Sequence, residues 1–396
     1  MQTADIVIIG GGIIGASLAY QLALRAGDSS IVLLERDTIA SGSSGRATGG
    51  IRQQFADEID IRFSIEGVRF YEQFTHEQPF ENARPTFYQH GYLFLTTTPP
   101  SWQAMQRYAV LQQALGVPTQ LLSASEVQQR VPQLVVADIL GATFCASDGY
   151  SDPAAMTRAL LVAARERGVS IREHTPVTAI RVEHGRVQGV QTPQEYFSTP
   201  LVINAAGVYA ALVARLAGIP DLPVYPLRRQ VYLSEPFADL PYDLPMVVDL
   251  STGFHFRRRG DCVLLTIPLA IDDEEIRRNQ RLESAAFDLP IEERQWQDVT
   301  EQIARRCPTL SNAAIARCWS GHYEMTPDEH ALLGPTAVDG FLCACGFSGH
   351  GFMHAPMATK LLVELILDGH ATALPIEQFS VGRFRSGQLL PMTRLL

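Results

Sequence analysis

Apolar positions along the chain alternate between two spacings, and each switch marks an element. Near the start, Ile6-Val7-Ile8-Ile9 is an unbroken β-branched run, which predicts a buried strand. Residues 16–24 read as a helix, and Ile31-Val32-Leu33-Leu34 is a second buried strand. The helical period returns over 58–77, through Ile61, Ile65, Val68, Phe70 and Phe74. From about Pro85 the texture becomes strand-like, with a run at 91–97 and helices at 101–115 and 125–131. Asp152-Pro153 pairs an N-cap residue with a first-turn proline and opens a helix over 154–167. Strands are expected at 170–173, 177–182, 186–191 and 201–207, with a helix over 208–217. A second sheet-like stretch has strands at 230–233, 253–256 and 262–266 and a polar helix over 291–306. The chain closes with a strand at 341–345, a glycine-rich turn, and a helix over 355–367 stopped at Gly369.

The first strand runs directly into Gly10-x-Gly12-x-x-Gly15, and the second ends at Glu35. Strand, glycines, helix and a terminal carboxylate about 20 residues on are in register for a dinucleotide-binding βαβ unit. Gly10 allows the tight turn, Gly12 lets a pyrophosphate approach the backbone, and Gly15 lets helix and strand pack closely. The helix N-terminus offers free N–H groups and the positive end of its dipole. Glu35 can accept from an adenosine ribose, and its charge repels a 2′-phosphate. Nucleotide-type pieces thus occur early, in the middle and late, separated by two sheet-like insertions. The layout predicts an α/β fold with an α+β part. A discontinuous Rossmann-like domain (1–83, 145–218 and 321–396) carries a mainly antiparallel β-sheet substrate domain (84–144 and 219–320).

At 396 residues the chain suits two domains. A net charge of -10 argues against a nucleic-acid or anionic-membrane partner. The one dense basic run, Arg257-Arg258-Arg259, reads as a solvated turn. Six cysteines without CxxC or paired-histidine spacing suit reduced thiols in a cytoplasmic protein and no metal site. Cys343 and Cys345 read as small buried hydrophobes. The apolar start lacks a basic flank, and no stretch reaches about 18 apolar residues, so neither a signal peptide nor a transmembrane segment is expected. There is one lysine, Lys360, against 31 arginines, which leaves Schiff-base chemistry a single candidate inside the last helix.

With Ser41 to Arg52, Asn204-Ala205-Ala206-Gly207, Gly321 to Asp328 and Gly346 to Pro356 added, the chain resembles the D-amino-acid-oxidase superfamily of FAD-dependent amine oxidoreductases. It falls on the side of sarcosine and glycine oxidases, dimethylglycine dehydrogenase and the β-subunit type of L-proline dehydrogenase. The resemblance spans residue 5 to about 370 and implies FAD rather than NAD. It implies that Gly10, Gly12 and Gly15 face the pyrophosphate, with Glu35 at the adenosine ribose, the Val177 backbone against the adenine, and Ile13, Ile14 and Arg36 also at the cofactor. Ser43, Ser44, Arg46, Thr48, Gly49 and Ile51 would run past the ribityl chain and flavin, with Ala205, Ala206, Gly207 and Gly321 also at the cofactor. Gly349, His350, Gly351, Phe352 and Met353 would present N–H groups to the flavin N1/C2 edge, where negative charge collects after hydride reaches N5. Arg52 matches the arginine that holds the substrate carboxylate. Tyr323, His322 and His255 would border the substrate.

The departures from the family pattern carry their own expectations. Gly321 stands where monomeric sarcosine oxidases attach FAD through cysteine, so FAD is expected to be non-covalent. Met353 replaces a lysine beside the carboxylate, and Val263-Leu264-Leu265 carries no counterpart of the lysine associated with oxygen activation. The resulting expectation is oxidation of the C–N bond of a small secondary or N-methyl amino acid, with electrons leaving to an unidentified acceptor. Three readings stand beside it: an oxidase releasing hydrogen peroxide, a flavin-carrying subunit with a partner subunit, and a plain NAD dehydrogenase.

Overall fold

A computed structural model describes residues 2–77, 86–267 and 293–391 of the chain. The domain boundary expected at 83/84, the texture change at Pro85 and the first two residues of the helix expected from 291 lie outside these residues. Among the described residues four sheets form. The largely parallel one has the order Leu332–Pro335, Phe341–Cys345, Val202–Asn204, Ile6–Ile9, Ile31–Leu34, Ser170–Arg172, and only its first pair is antiparallel. Both faces are covered, which is why its inner strands are apolar at every position but one, the buried Asn204, whose side chain donates to the Ala210 carbonyl. Ile8 and Leu33 pack towards the helices Ile13–Arg25, Pro153–Glu166 and Gly351–Asp368. Val7 and Val32 pack on the opposite side, towards the helix Ala210–Leu216 and a small sheet formed by Gln2–Thr3, Tyr196–Ser198, Arg186–Gln191 and Ala179–Glu183.

The largest sheet has the order Ile315–Met325, Tyr225–Ser234, Cys262–Thr266, His255–Arg259, Met246–Asp249, Tyr92–Thr96, Gly141–Cys145, Gln120–Leu122. Its strands come from both inserted stretches, joined where Met246 pairs in parallel with Tyr92. Alternation sets its two faces. Leu93, Phe144, Phe256 and Leu265 enter a core shared with Val299 and Ile303 of the helix Glu293–Arg306. Neighbouring positions such as Tyr92 and His255 stand on the other face, and both line the large cleft.

Several local expectations are corrected. The run Arg257 to Arg259 is not a solvated turn; it lies in the strand His255–Arg259, with Arg257 and Arg258 buried. Arg258 donates to the carbonyls of Phe237, Leu240, Pro241 and Asp261. Arg257 donates to Thr48 and Ser151 carbonyls and lies over the Tyr150 ring; burial lowers its guanidinium to about 10. Guanidinium forks can satisfy loop carbonyls that have no other partner, a demand that local charge patterning does not display. Val177 precedes its strand rather than lying in it, and the stretch after Ser41 holds the short helix Ser43–Arg46 and the strand Gly50–Ile51. The last helix starts at Gly351 and continues through Pro356. Proline removes the donor that the Phe352 carbonyl needs, and the Tyr71 hydroxyl replaces it at 2.6 Å. No helix among the described residues is long and apolar enough to cross a membrane.

Candidate active site

At the carboxyl ends of the parallel strands, a cleft of about 1450 Å³ runs from Glu35 to the face of the largest sheet. Its floor at one end is bare backbone. Gly10 has φ +118°, and a Cβ there would stand 2.4 Å from the Ala205 carbonyl oxygen. A Cβ on Gly15 would stand 2.0 Å from the Gly10 carbonyl oxygen, so strand and helix touch through these two glycines. The Gly11 N–H donates to Glu35 Oε2 at 2.7 Å and the Asp37 N–H to Oε1 at 2.8 Å, which fixes the carboxylate at the mouth. Ser44 Oγ accepts from the Ile13 N–H at 2.9 Å and brings the Ser41 stretch over the first helix. Ser43 Oγ donates to the His322 carbonyl at 2.8 Å and ties the stretch to the large sheet.

The middle of the cleft is closed by the first turn of Gly351–Asp368, whose N-cap is His350. Gly349, at φ +92°, lies under the Tyr323 ring, and a Cβ there would meet that ring at 2.8 Å. Glu324 also lines this part, and its Oε2 is buried with no hydrogen-bond partner among the described residues. Behind the helix, Asp60 Oδ1 lies 3.6 Å from His330 Nδ1 and 3.9 Å from His354 Nδ1. Burial opposes charge on both Asp60 and His330. Their mutual attraction prevails, holding the Asp60 carboxyl well below its ordinary range and raising His330 to about 9. Burial takes His350 down to about 3 and His354 to about 4, so both are neutral imidazoles near pH 7.

At the sheet end, Arg52 is 3% exposed, lies 3.7 Å over the Phe55 ring centroid, and donates through Nη1 to the Gln54 carbonyl. Gln54 is held in turn by Asp148, which accepts from the Gln53 N–H at 2.9 Å and from Gln54 Nε2 at 3.1 Å. Burial pushes Asp148 up to about 6, against these hydrogen bonds. His255 Nδ1 is 2.8 Å from the Gly253 carbonyl. A carbonyl only accepts, so Nδ1 carries the proton and Nε2 is left as an acceptor. Burial lowers His255 to about 4, with Arg229 and Arg52 adding to the effect, and lowers His322 to about 4. The cationic side chains at this end are therefore arginines, Arg52 and Arg229, the latter 4.9 Å over the Tyr323 ring.

Of the residues expected at the site, all but two line this one cleft. Gly15 acts from beneath as the helix–strand contact, and Ile51 is buried in the core under the cleft. Reading the sequence missed Tyr92, Arg229, Leu227, Thr266 and Glu324 as lining residues. Glu324 lies inside the Gly321 to Asp328 block but carried no assigned role there. Arg229, Leu227 and Thr266 gave no local signal, because the pairings Arg229↔Gly321 and His255↔Thr266 bring them to the cleft. The bare glycine floor and two helix N-termini fit a long anionic dinucleotide, and Glu324 Oε2, without a partner among the described residues, is left for a further polar contact.

Comparison with known proteins identifies the fold and the family. The family model described as FAD dependent oxidoreductase, DAO, matches residues 5–365. The crystal structure of L-proline dehydrogenase from P. horikoshii superposes with a TM-score of 0.89 at 31% identity, covering 98% of this chain and all of that one. Human mitochondrial sarcosine dehydrogenase is 30% identical over 93% of this chain, which spans only 40% of that protein's length. FAD-dependent oxidoreductase domain-containing protein 1 of Xenopus laevis is 29% identical over 98% of this chain and 84% of its own length.

Proposed function

The chain belongs to the DAO family of FAD-dependent oxidoreductases, and from that premise we propose that it oxidises the C–N bond of a small amino acid bearing a secondary or N-methylated amine. FAD is the cofactor and supplies the two-electron acceptor for hydride from the carbon next to nitrogen. Gly10, Gly12 and the N-terminus of Ile13–Arg25 hold its pyrophosphate, with Glu35 at the adenosine. No cysteine lies among the cleft-lining residues, and Gly321 occupies the expected attachment point, which supports non-covalent binding. The division into an FAD-binding part and a substrate part is part of the proposal and is supported by the separate parallel and mainly antiparallel sheets.

One observation carries the substrate reading: Arg52 is buried at the cleft wall, stacked on Phe55 and fixed through Gln54 and Asp148. A preoriented guanidinium in a low-dielectric wall binds a carboxylate strongly and sets its orientation. With the carboxylate held there, His255 Nε2 can accept from the amine N–H, and Tyr92 and Tyr323 enclose the small apolar remainder. His255 is neutral near pH 7, so the neutral amine is selected on binding rather than created by a strong base. The imine product leaves and is hydrolysed.

A dehydrogenase rather than an oxidase is supported by the fate of the single lysine. Lys360 pairs with Glu66 at 3.0 Å and does not line the cleft, so no ammonium group among the described residues stands ready to assist oxygen. A reducing compartment such as the cytoplasm fits the six free cysteines. The test is anaerobic bleaching of the ~450 nm flavin band by L-proline, sarcosine, dimethylglycine, glycine and D-amino acids. Fast bleaching by one secondary amine, with slow recovery in air, is the expected result. Fast recovery makes the enzyme an oxidase, and no bleaching by any amine overturns the substrate class.

A further inference from the structure

Glu324 is an ionisable side chain of the cleft that the proposed reaction leaves unused. It lies in the strand Ile315–Met325, and its carbonyl accepts from the Ser348 N–H at 2.9 Å. Its two carboxyl oxygens point to different elements. Oε1 is 3.8 Å from the place a Cβ on Gly351 would take, and Oε2 is 3.7 Å from the corresponding place on Gly207. The carboxyl is thus wedged between the first turn of the last helix and the turn Gly207–Tyr209, and Oε2 is buried without a partner among the described residues. Both glycines line the cleft.

The surroundings of the Glu324 carboxyl are almost without charge. From the turn after Phe341–Cys345 it meets the backbone N–H groups of Gly346 and Phe347, and from that strand the Cys345 thiol. Across the sheet its register partner is Pro226. From the other two elements it meets Gly207 and Gly351. Among the described residues no arginine, lysine or histidine adds a charge to its ionisation. Burial raises the carboxyl to about 7, against the pull of the two N–H groups. A buried carboxyl without a cationic partner is poised to follow any new negative charge beside it.

We propose that Glu324 is a redox-linked proton site: when the bound flavin gains two electrons, Glu324 takes a proton from solvent, and it returns that proton on reoxidation. The electrons come from the amine in turnover. The proton forms an Oε–H bond, and the same bond breaks when the electrons leave to the acceptor. The protonated carboxyl then donates where the carboxylate would have repelled. A negative charge at 5–8 Å raises a carboxyl's proton affinity on the order of tenfold or more in a protein interior. The inference requires bound FAD but not an amine substrate.

The measurement is the two-electron midpoint potential of the holoenzyme between pH 5.5 and 9.5, reduced with dithionite and equilibrated with redox dyes. Wild type and Glu324→Gln are compared, since glutamine keeps the shape but cannot titrate. One added proton makes the equilibrium change tenfold per pH unit, or about 30 mV for a two-electron couple. The wild-type potential is expected to fall more steeply than the variant's by that amount, over a stretch beginning near pH 7. Parallel lines throughout overturn the proposal. If Glu324→Gln purifies without flavin, the redox difference infrared spectrum of wild type decides. A protonated-carboxyl band that appears on dithionite reduction and disappears on reoxidation sustains the site, and its absence overturns it. Because dithionite supplies the electrons, failure of every amine to react leaves this result unaffected.

Discussion

The two ends of the cleft are built by different means. At the glycine-rich end, where the proposal places the dinucleotide, the working parts are backbone: Gly10 and Gly15 in contact, the N-terminus of Ile13–Arg25, and a Glu35 carboxylate held by the Gly11 and Asp37 N–H groups. At the sheet end they are side chains from segments far apart in the chain, with Arg52, Tyr92, Arg229, His255 and Tyr323 meeting across one cavity. The first kind of site tolerates no added atom. The second tolerates substitution at a graded cost, because each side chain contributes separately.

The largest effect should therefore come from a single methyl group at the backbone end. Gly15→Ala places a Cβ 2.0 Å from the Gly10 carbonyl oxygen, and neither backbone can yield without opening the strand–helix contact. The expected cost is roughly 3 kcal/mol or more, read as purified protein with little bound flavin and a lowered Tm. Full flavin occupancy in this variant would mean that the two elements are not locked as described.

Next in size is Arg52→Met. Removing one partner of a buried charge pair costs roughly 3 kcal/mol, so kcat/KM should drop on the order of 100-fold with flavin content unchanged. Arg258→Met is the counterpart that sharpens the comparison. Arg258 is as buried as Arg52, yet it serves the carbonyls of Phe237, Leu240, Pro241 and Asp261 and does not line the cleft. It should lower Tm and leave KM for the amine alone. If KM rises as steeply in Arg258→Met as in Arg52→Met, burial rather than carboxylate binding explains the Arg52 result.

The same contrast explains what the sequence could show. The parallel sheet and the dinucleotide end were legible because their residues are contiguous and the glycine spacing has one physical reading. The final helix was legible too, apart from its start, which the Tyr71 hydroxyl extends past the signal of Pro356. At the sheet end, Arg229 and Thr266 reach the cleft only through pairings with Gly321 and His255, and no local pattern encodes that register. Arg257 and Arg258 misled for a related reason. Their partners are carbonyls of remote loops, invisible to a count of charges along the chain.

A third test concerns the ion cluster behind the last helix, between the two ends, where Asp60 lies between His330 and His354. His330 is raised from 6.5 to about 9, so its contribution to stability is fully present below 6.5 and is lost as pH rises through 9. Asp60 is lowered from 3.8, so its contribution is present above 3.8 and is lost only as pH falls below that. Asp60→Asn should then cost roughly 2–3 kcal/mol of stability between these two ordinary values. The gap from wild type should close towards pH 9. Chemical denaturation at several pH values checks this, and a gap that persists unchanged above pH 9 would assign the loss to packing.

The smallest effect is expected at His255, and it bears most directly on how the sheet end works. The Gly253 carbonyl fixes the proton on Nδ1, so Nε2 offers the amine one neutral acceptor. Burial keeps the ring uncharged down to about pH 4. His255→Gln should lower kcat/KM by about tenfold, the worth of one such hydrogen bond. Its pH profile should keep the rising limb expected of wild type, since that limb belongs to the amine losing its proton before binding. Were the limb to vanish with the histidine, His255 itself would be titrating at neutral pH as a base. The sheet end would then depend on one side chain's ionisation rather than on the fixed arrangement of several, and the contrast between the two ends would fail.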